Sequence, residues 1–311
     1  MPMTSSQFPQ LLETKFREVY EDTWNELPSM IDQVYGVDSS NSAWEEYFGV
    51  GSVPDIPAFN GKISYLSVAP GYETRIEPKE YAGGLIFERK FLDDKKYSVM
   101  MDNAAKLTKS AHRVREKHGA ETFGYAFSSA FNFMYSEEGV SLCSSSHTTK
   151  SGASTSSGFD NAGTSALSKT SIQATWLAMR QFRDDIGQRI DVNPDTLIVP
   201  ENLYFTALEA VGDSQTGATS QLDPDSANNT INPIYNRFKV IPYRRLDDYD
   251  SNNWFMVDSS EMKRYLKWLE RIAPETKTTI DFDTYQTKFG IYMRHGVGFT
   301  DWRWIYGHAV S

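Results

Sequence analysis

Cysteine is nearly missing from this chain: Cys143 stands alone among 311 residues. A lone thiol excludes an intrachain disulfide framework and suits a reducing compartment. Long hydrophobic runs are missing too, so no segment reads as a membrane-spanning helix. The opening residues, MPMTSSQFPQ, lack the basic-then-apolar order of a secretory signal. Positive charge is in deficit, with 31 Lys and Arg against 41 Asp and Glu and a net charge of −10. A chain so balanced is a poor tight binder of nucleic acid, because phosphate neutralisation needs clustered cations.

The usual marks of catalysis are also scarce. Gly61-Lys62 lacks the spacing and following helix of a phosphate loop, and Gly49/Gly51 runs into Pro54 instead of a dinucleotide fingerprint. No serine occupies a nucleophile elbow. Cys143 and His147 supply at most half a metal site. Asp247, Asp248 and Asp250 lack the glycine and terminal glutamate of a calcium loop. His112 reads as solvated and His118 as packed, while Asp281 and Asp283 read as the wet face of a strand. Asn228-Asn229-Thr230 matches a glycosylation sequon with nothing to suggest secretion. We expect no catalytic residue, no cofactor and no metal.

What the chain does have is one long amphipathic stretch. From Asp93 to about Met134, Tyr97, Met100, Ala104, Leu107, Ala111, Val114 and His118 recur at steps of three and four, and Phe123, Phe127, Ala130 and Met134 resume the stripe. The pattern predicts a strut with Asp93 and Asp94 at its N-terminus, a bend at Gly119 and Gly124, and a stop at Gly139. If unbroken it spans roughly 60 Å. Too few Leu and Ile line the stripe for a sustained coiled-coil seam.

Around the strut, residues 5–27 carry Leu11, Phe16, Val19, Tyr20 and Trp24 on one helical face. Glycines and prolines punctuate residues 44–91, leaving short strands such as Ile63–Val68 and Leu85–Phe91 in a protruding hairpin or extended loop. Ser141–Ser171 reads as a polar surface loop. After it come a helix capped by Ser168 or Thr170 and ended by Gly187, a buried strand Thr196–Val199, and a helix from Pro200 to Val211. A second polar loop spans 213–231. Strands at Phe238–Pro242 and Trp254–Asp258 then lead to a helix capped by Asp258 that holds Leu266 and Leu269. Lys277–Val310 alternates as three antiparallel strands turning at Gly296 and Gly298. Aromatics are abundant (18 Phe, 17 Tyr, 7 Trp), which suits extensive interfaces.

The order of these elements resembles the major capsid (head) proteins of tailed bacteriophages, especially heads similar to those of Mu-like phages. The resemblance rests on Tyr81–Asp94 (YAGGLIFERKFLDD), Ser141–His147 (SLCSSSH), Thr196–Pro200 (TLIVP) and Arg294–Gly307 (RHGVGFTDWRWIYG). It implies an α+β tailed-phage capsid fold: an N-terminal arm (1–44), an extended β-hairpin loop (45–92), a peripheral domain with a long spine helix and sheet (93–140 and 272–311), and an α/β axial domain (141–271). It also implies a non-enzymatic protein of the virion that assembles in the bacterial cytoplasm. Such a subunit forms pentamers and hexamers of an icosahedral head around double-stranded DNA, without sequence-specific binding and without a membrane. Portal, scaffolding and decoration proteins are the partners it implies. Arg75, Lys79, Glu80 and Tyr81 are the intersubunit contacts we expect. Deleting 62–82 should leave a folded monomer that forms no shells. Covalent joining through Lys62 or Lys79 is not expected. An encapsulin-like compartment shell and a soluble α/β enzyme are the alternative readings.

Overall fold

The computed structural model describes residues 8–212 and 232–311, with side chains of the first helix described from Leu12 onward. The expected polar loop at 213–231 and the sequon at Asn228 therefore lie outside the described residues, as does the side chain of Leu11. Helix α1 (Phe8–Glu26) opens the chain, followed by the short α2 (Ile31–Val34) and the strands β1 (Gly36–Ser39) and β2 (Glu45–Val50). Strands β3 (Pro70–Ile76) and β4 (Lys79–Phe87) lead to α3 (Arg89–Asp93) and the spine, α4 (Tyr97–Gly124). β5 (Met134–Ser136), β6 (Ala162–Gly163), α5 (Lys169–Met179), β7 (Thr196–Val199) and α6 (Tyr204–Val211) follow. The chain finishes with β8 (Lys239–Pro242), β9 (Trp254–Val257), α7 (Ser259–Tyr265), β10 (Leu266–Ile280), β11 (Thr287–Phe299) and β12 (Ile305–His308).

The spine is real but shorter than its apolar stripe. Its 28 residues span about 42 Å. Asp93 belongs to α3, and Lys95 takes a left-handed φ of 55° that separates α3 from α4, so neither Asp93 nor Asp94 caps the spine. The helix continues unbroken through Gly119. That glycine is a point of close approach: a Cβ there would sit 2.7 Å from the Tyr243 hydroxyl and 3.3 Å from Ile31. The Tyr35 hydroxyl uses the same gap to donate to the Gly119 carbonyl at 2.5 Å. Gly124 ends the helix against the Tyr249 ring. Phe127 and Ala130 lie beyond the helix and Met134 in β5; Phe127 and Met134 pack against the axial core, and Ala130 is exposed. Gly139 turns the chain after β5 with φ 68°.

Two apolar clusters share the spine. Met100, Ala104 and Ala111 pack with Phe87, Phe289, Ile291 and Met293 and with Leu12 and Phe16 of α1. Phe16 is fully buried, its ring 4.7 Å from Phe289 and 6.0 Å from Phe87. Ala120 and Phe123 enter the second, larger cluster, which contains β7, β9, Trp268 and Trp304. Arg115 stands at the junction, ion-paired to Glu270 at 2.5 Å and lying over the Trp24 and Trp268 rings.

Among the described residues, three sheets surround this frame. The peripheral sheet has the order β1-β10-β11-β4, with β1 parallel to β10 and the rest antiparallel. The axial sheet is β6-β12-β9-β7-β8, and a small third sheet is β2-β3-β5. Leu266 and Leu269 belong to β10 and not to the preceding helix, although Asp258 caps that helix as expected by accepting from the Ser260 and Glu261 amides. The three C-terminal strands divide between sheets: β10 and β11 form one long hairpin, whereas β12 joins the axial sheet. Gly296 and Gly298 lie within β11, packed against Ile76, and the turn is instead at 281–286. There Asp281 binds Lys288 and the amides of Asp283 and Thr284, and the Lys288 bond holds its carboxyl down at about 2. β10 crosses the boundary expected between 271 and 272, joining the two regions covalently through one strand.

The Ser/Thr-rich stretch is anchored rather than free. Phe159 and Asn161 are buried, and the Asn161 amide donates to the carbonyls of Leu142 and Ile305. α5 is capped by Ser168 in a reciprocal box with Ser171, but it stops at Met179, leaving Phe182 and Gly187 in the following loop.

Candidate assembly surface

β2 and β3 pair antiparallel, from Glu45 opposite Ile76 to Val50 opposite Pro70. Between them residues 51–69 carry no regular structure, and the expected strand Ile63–Val68 has no pairing partner among the described residues. Val53, Ile56, Phe59, Ile63 and Tyr65 all face solvent, Phe59 at 78% and Tyr65 at 93% exposure. Large apolar side chains exposed along one loop make it a candidate interaction surface. The base of the loop is held: Gly51 N–H donates to the Ala69 carbonyl and Ser52 N–H to Asp185 Oδ1 at 2.8 Å. A cavity of about 300 Å³ adjoins it, with Tyr72, Asp185, Glu261 and Asp301 in its wall. Asp301 pairs with Arg303 and Asp185 Oδ1 accepts from the loop, while Asp185 Oδ2 is buried without a hydrogen-bond partner among the described residues.

The four contact residues expected from sequence lie on β3 and β4, below this loop. Arg75 covers the Trp44 ring at 4.2 Å and reaches Glu77 at 3.7 Å. Lys79 stands over Phe133 at 5.2 Å, and Glu80 meets Arg294 at 3.7 Å across β11. Tyr81 is drawn inward between His118 and His295, with ring centroids at 4.6 and 4.9 Å. Burial pushes its hydroxyl up to about 12. Within one subunit each therefore has a neighbour; Glu80 remains largely exposed and its ion pair is of the weak surface kind.

The histidines behave differently from their sequence reading. His112 is buried against Trp24, its imidazole 3.9 Å from Glu116, where solvation was expected. His118 is packed, as expected, and its Nδ1 lies 2.9 Å from Nε2 of His295. Burial is the main cause that holds His118 down to about 4 and His295 to about 2, with Lys79, Lys117 and Arg115 adding to it. His295 escaped the sequence reading because it sits in a glycine-flanked run; its place on alternating β11 was the available signal. Cys143 is buried and its thiol pushed up by desolvation, and His147 is occupied by Glu138 and Asn161 while stacking on Trp302 at 4.2 Å. Among the described residues no group of three His, Cys, Asp or Glu side chains is placed to hold a metal.

A family model for phage capsid protein matches residues 71–307. The chain belongs to the phage capsid protein family. Among solved structures it is similar to the mature capsid of bacteriophage PhiM1, at 11% identity and a TM-score of 0.60, over 92% of this chain and 88% of that one. It is similar to the bacteriophage JBD30 capsid at 16% identity and a TM-score of 0.53, over 78% and 99%. A virus-like particle from Pyrococcus furiosus matches at 11% identity and 0.52, over 95% and 98%. No curated protein sequence matches. At these identities the structures establish the shared capsid fold, and the family match establishes a capsid shell protein. The soluble-enzyme reading gives way to a structural family.

Proposed function

We propose that this capsid protein assembles with copies of itself into pentamers and hexamers that close an icosahedral phage head around double-stranded DNA. The observation that carries the reading is the exposed apolar loop at 51–69 on a subunit of this family. A surface that complements a different surface of the next copy makes heterologous contacts, which close into rings when the rotation allows. Arg75, Lys79 and Glu80, at the end of the β2–β3 hairpin away from that loop and at the start of β4, with the partly buried Tyr81, serve as further contacts between copies. The net charge of −10 suits a wall that contains DNA without adhering to it. The arm, loop, peripheral and axial divisions at 1–44, 45–92, 93–140 with 272–311, and 141–271 follow from the same reading.

Assembly in the bacterial cytoplasm would draw on portal and scaffolding proteins, with a decoration protein on the outside, and no catalytic role falls to this chain. Electron microscopy and light scattering of the purified protein, alone and with scaffold and portal supplied, test this. Closed particles containing DNA are the expected result. Particles loaded with protein cargo would favour a compartment shell. A particle that stays monomeric or dimeric under all these conditions refutes the proposal.

A further inference from the structure

The spine carries a row of cations on the side turned away from its core. Lys106, Lys109, Arg113 and Lys117 follow one another at steps of three and four, so they share one face of α4, and all four are exposed. The row lies opposite the buried Ala104, Thr108 and Ala111 and covers roughly 16 Å of helix. Among the described residues none of the four is ion-paired; Arg113 reaches only the Ser110 hydroxyl, at 3.3 Å. Between Asp102 and Glu121 the sequence holds a single carboxylate, Glu116. That one is buried, accepting from the Ser29 hydroxyl and the Met30 amide.

Like charges three and four apart repel and weaken a helix, whereas a glutamate at any of these steps would have stabilised it. In a chain with 41 Asp and Glu against 31 Lys and Arg, composition does not supply such a row by default. The row also lacks what a protein partner needs. Interfaces between proteins are held by apolar and aromatic anchors at their centre. Among the described residues no large hydrophobic side chain is exposed between 100 and 120. A polyphosphate needs no such anchor, because cations alone displace its counterions and position its backbone.

We propose that the face of α4 bearing Lys106, Lys109, Arg113 and Lys117 contacts the phosphate backbone of the enclosed duplex DNA, without regard to base sequence. The inference rests on the shell-forming reading above and names the surface that meets the contents. Four cations on a subunit of net charge −10 give a weak, salt-sensitive hold. The wall as a whole still repels DNA, and each copy adds one such row turned toward the lumen.

Binding of a fluorescent duplex of about 20 base pairs to the unassembled subunit, read by anisotropy between about 50 and 200 mM salt, tests it. Log affinity should fall against log salt with a slope of about −3.6, a loss of about 150-fold over that range. Lys106→Gln, Lys109→Gln, Arg113→Gln and Lys117→Gln together keep helix propensity. That variant should hold the subunit's melting temperature, form shells of wild-type diameter and bind the duplex at least tenfold more weakly, with a flattened slope. Arg89→Gln, Lys90→Gln, Arg244→Gln and Arg264→Gln together remove the same charge from exposed cations that are already paired. This control should bind within about twofold of wild type. Equal loss in the two variants would make net charge the cause and overturn the proposal. A wild-type subunit that binds no duplex at the lowest salt also overturns it. So does a spine variant that binds duplex normally, and if that variant fails to form shells the row belongs to an acidic protein surface instead. In each case the shell-forming reading stands. Absence of shells from the wild-type protein with scaffold and portal supplied overturns that reading, and with it the enclosed DNA, whatever the subunit binds.

Discussion

The His118–His295 contact ties part of the subunit's stability to pH. Both rings are neutral when buried, among the cations Lys79, Lys117 and Arg115 and the carboxyls Glu121 and Glu270, with Tyr81, Phe133 and Trp268 stacked around them. The unfolded chain binds a proton near the ordinary imidazole value of about 6.5, whereas folded His118 binds one only near 4. The stability this gives is therefore complete above pH 6.5 and lost as pH falls toward 4. Discounted for the wet part of the His118 ring, the loss is about 1–3 kcal/mol. His118→Gln keeps a hydrogen bond to His295 and removes one titration. Urea unfolding at pH 7, 5.5 and 4.5 should show a slope shallower by about 1 kcal/mol per pH unit. His308, also held near 4 by burial, contributes equally to both proteins and cancels. An unchanged slope would remove the pair from the acid response. Gly119→Ala tests close approach on the same helix. Better helix propensity adds about 1 kcal/mol, but a Cβ 2.7 Å from the buried Tyr243 hydroxyl costs more. A net loss of about 1–2 kcal/mol in urea unfolding is expected, and a gain would mean that Tyr243 yields freely.

At the level of elements, the spine, α1, α5, β7, α6 and β9 were all legible, because each carries its own apolar pattern; their ends were less so, since Asp93, Asp94 and Gly139 do not bound the spine and Gly187 does not end α5. Residues whose partners are distant in sequence were not. Leu266 and Leu269 continue a helical spacing on paper, but Lys267, Trp268 and Leu269 pair with β11 and with β1, and two neighbouring strands decide the backbone. Met134 likewise falls on the spine's stripe but pairs with Ile76. Arg75, Lys79, Glu80 and Tyr81, expected as contacts, lie on β3 and β4, and the inward turn of Tyr81 depends on His295, which is remote in sequence. α1 shows how a tertiary contact stabilises an element: its Phe16 is the main fully buried anchor on the spine and β11. Phe16→Ala should cost about 3–5 kcal/mol and expose the first helix to limited proteolysis before the rest unfolds. Proteolysis that begins elsewhere would show that Tyr20, which donates to the Pro274 carbonyl at 3.0 Å, holds the helix without it.

For the whole molecule, the question is which part of the chain serves the subunit and which serves its neighbours. A deletion of 62–82, natural from the sequence, removes β3 and the first half of β4. It would take away buried Thr74 and Ile76 and open the edge of β11, so a folded monomer is not its outcome. The structure moves the cut to 53–67. Val50 and Pro70 are already paired and Gly51 already donates to Ala69, so a short Gly-Ser link closes the hairpin without disturbing either strand. Shortening a flexible loop about fourfold lowers its closure entropy by about 1 kcal/mol, so the trimmed subunit should melt at the wild-type temperature or a few degrees higher. It should also lose an exposed apolar surface and stay monomeric at concentrations where the intact protein forms shells. A lower melting temperature would mean that the loop packs on its own subunit. Intact shells from the trimmed protein, seen by electron microscopy, would mean that the loop is dispensable to its neighbours, and the contacts that close the shell would then have to be sought on the axial helices, where Leu177 and Phe205 also face outward.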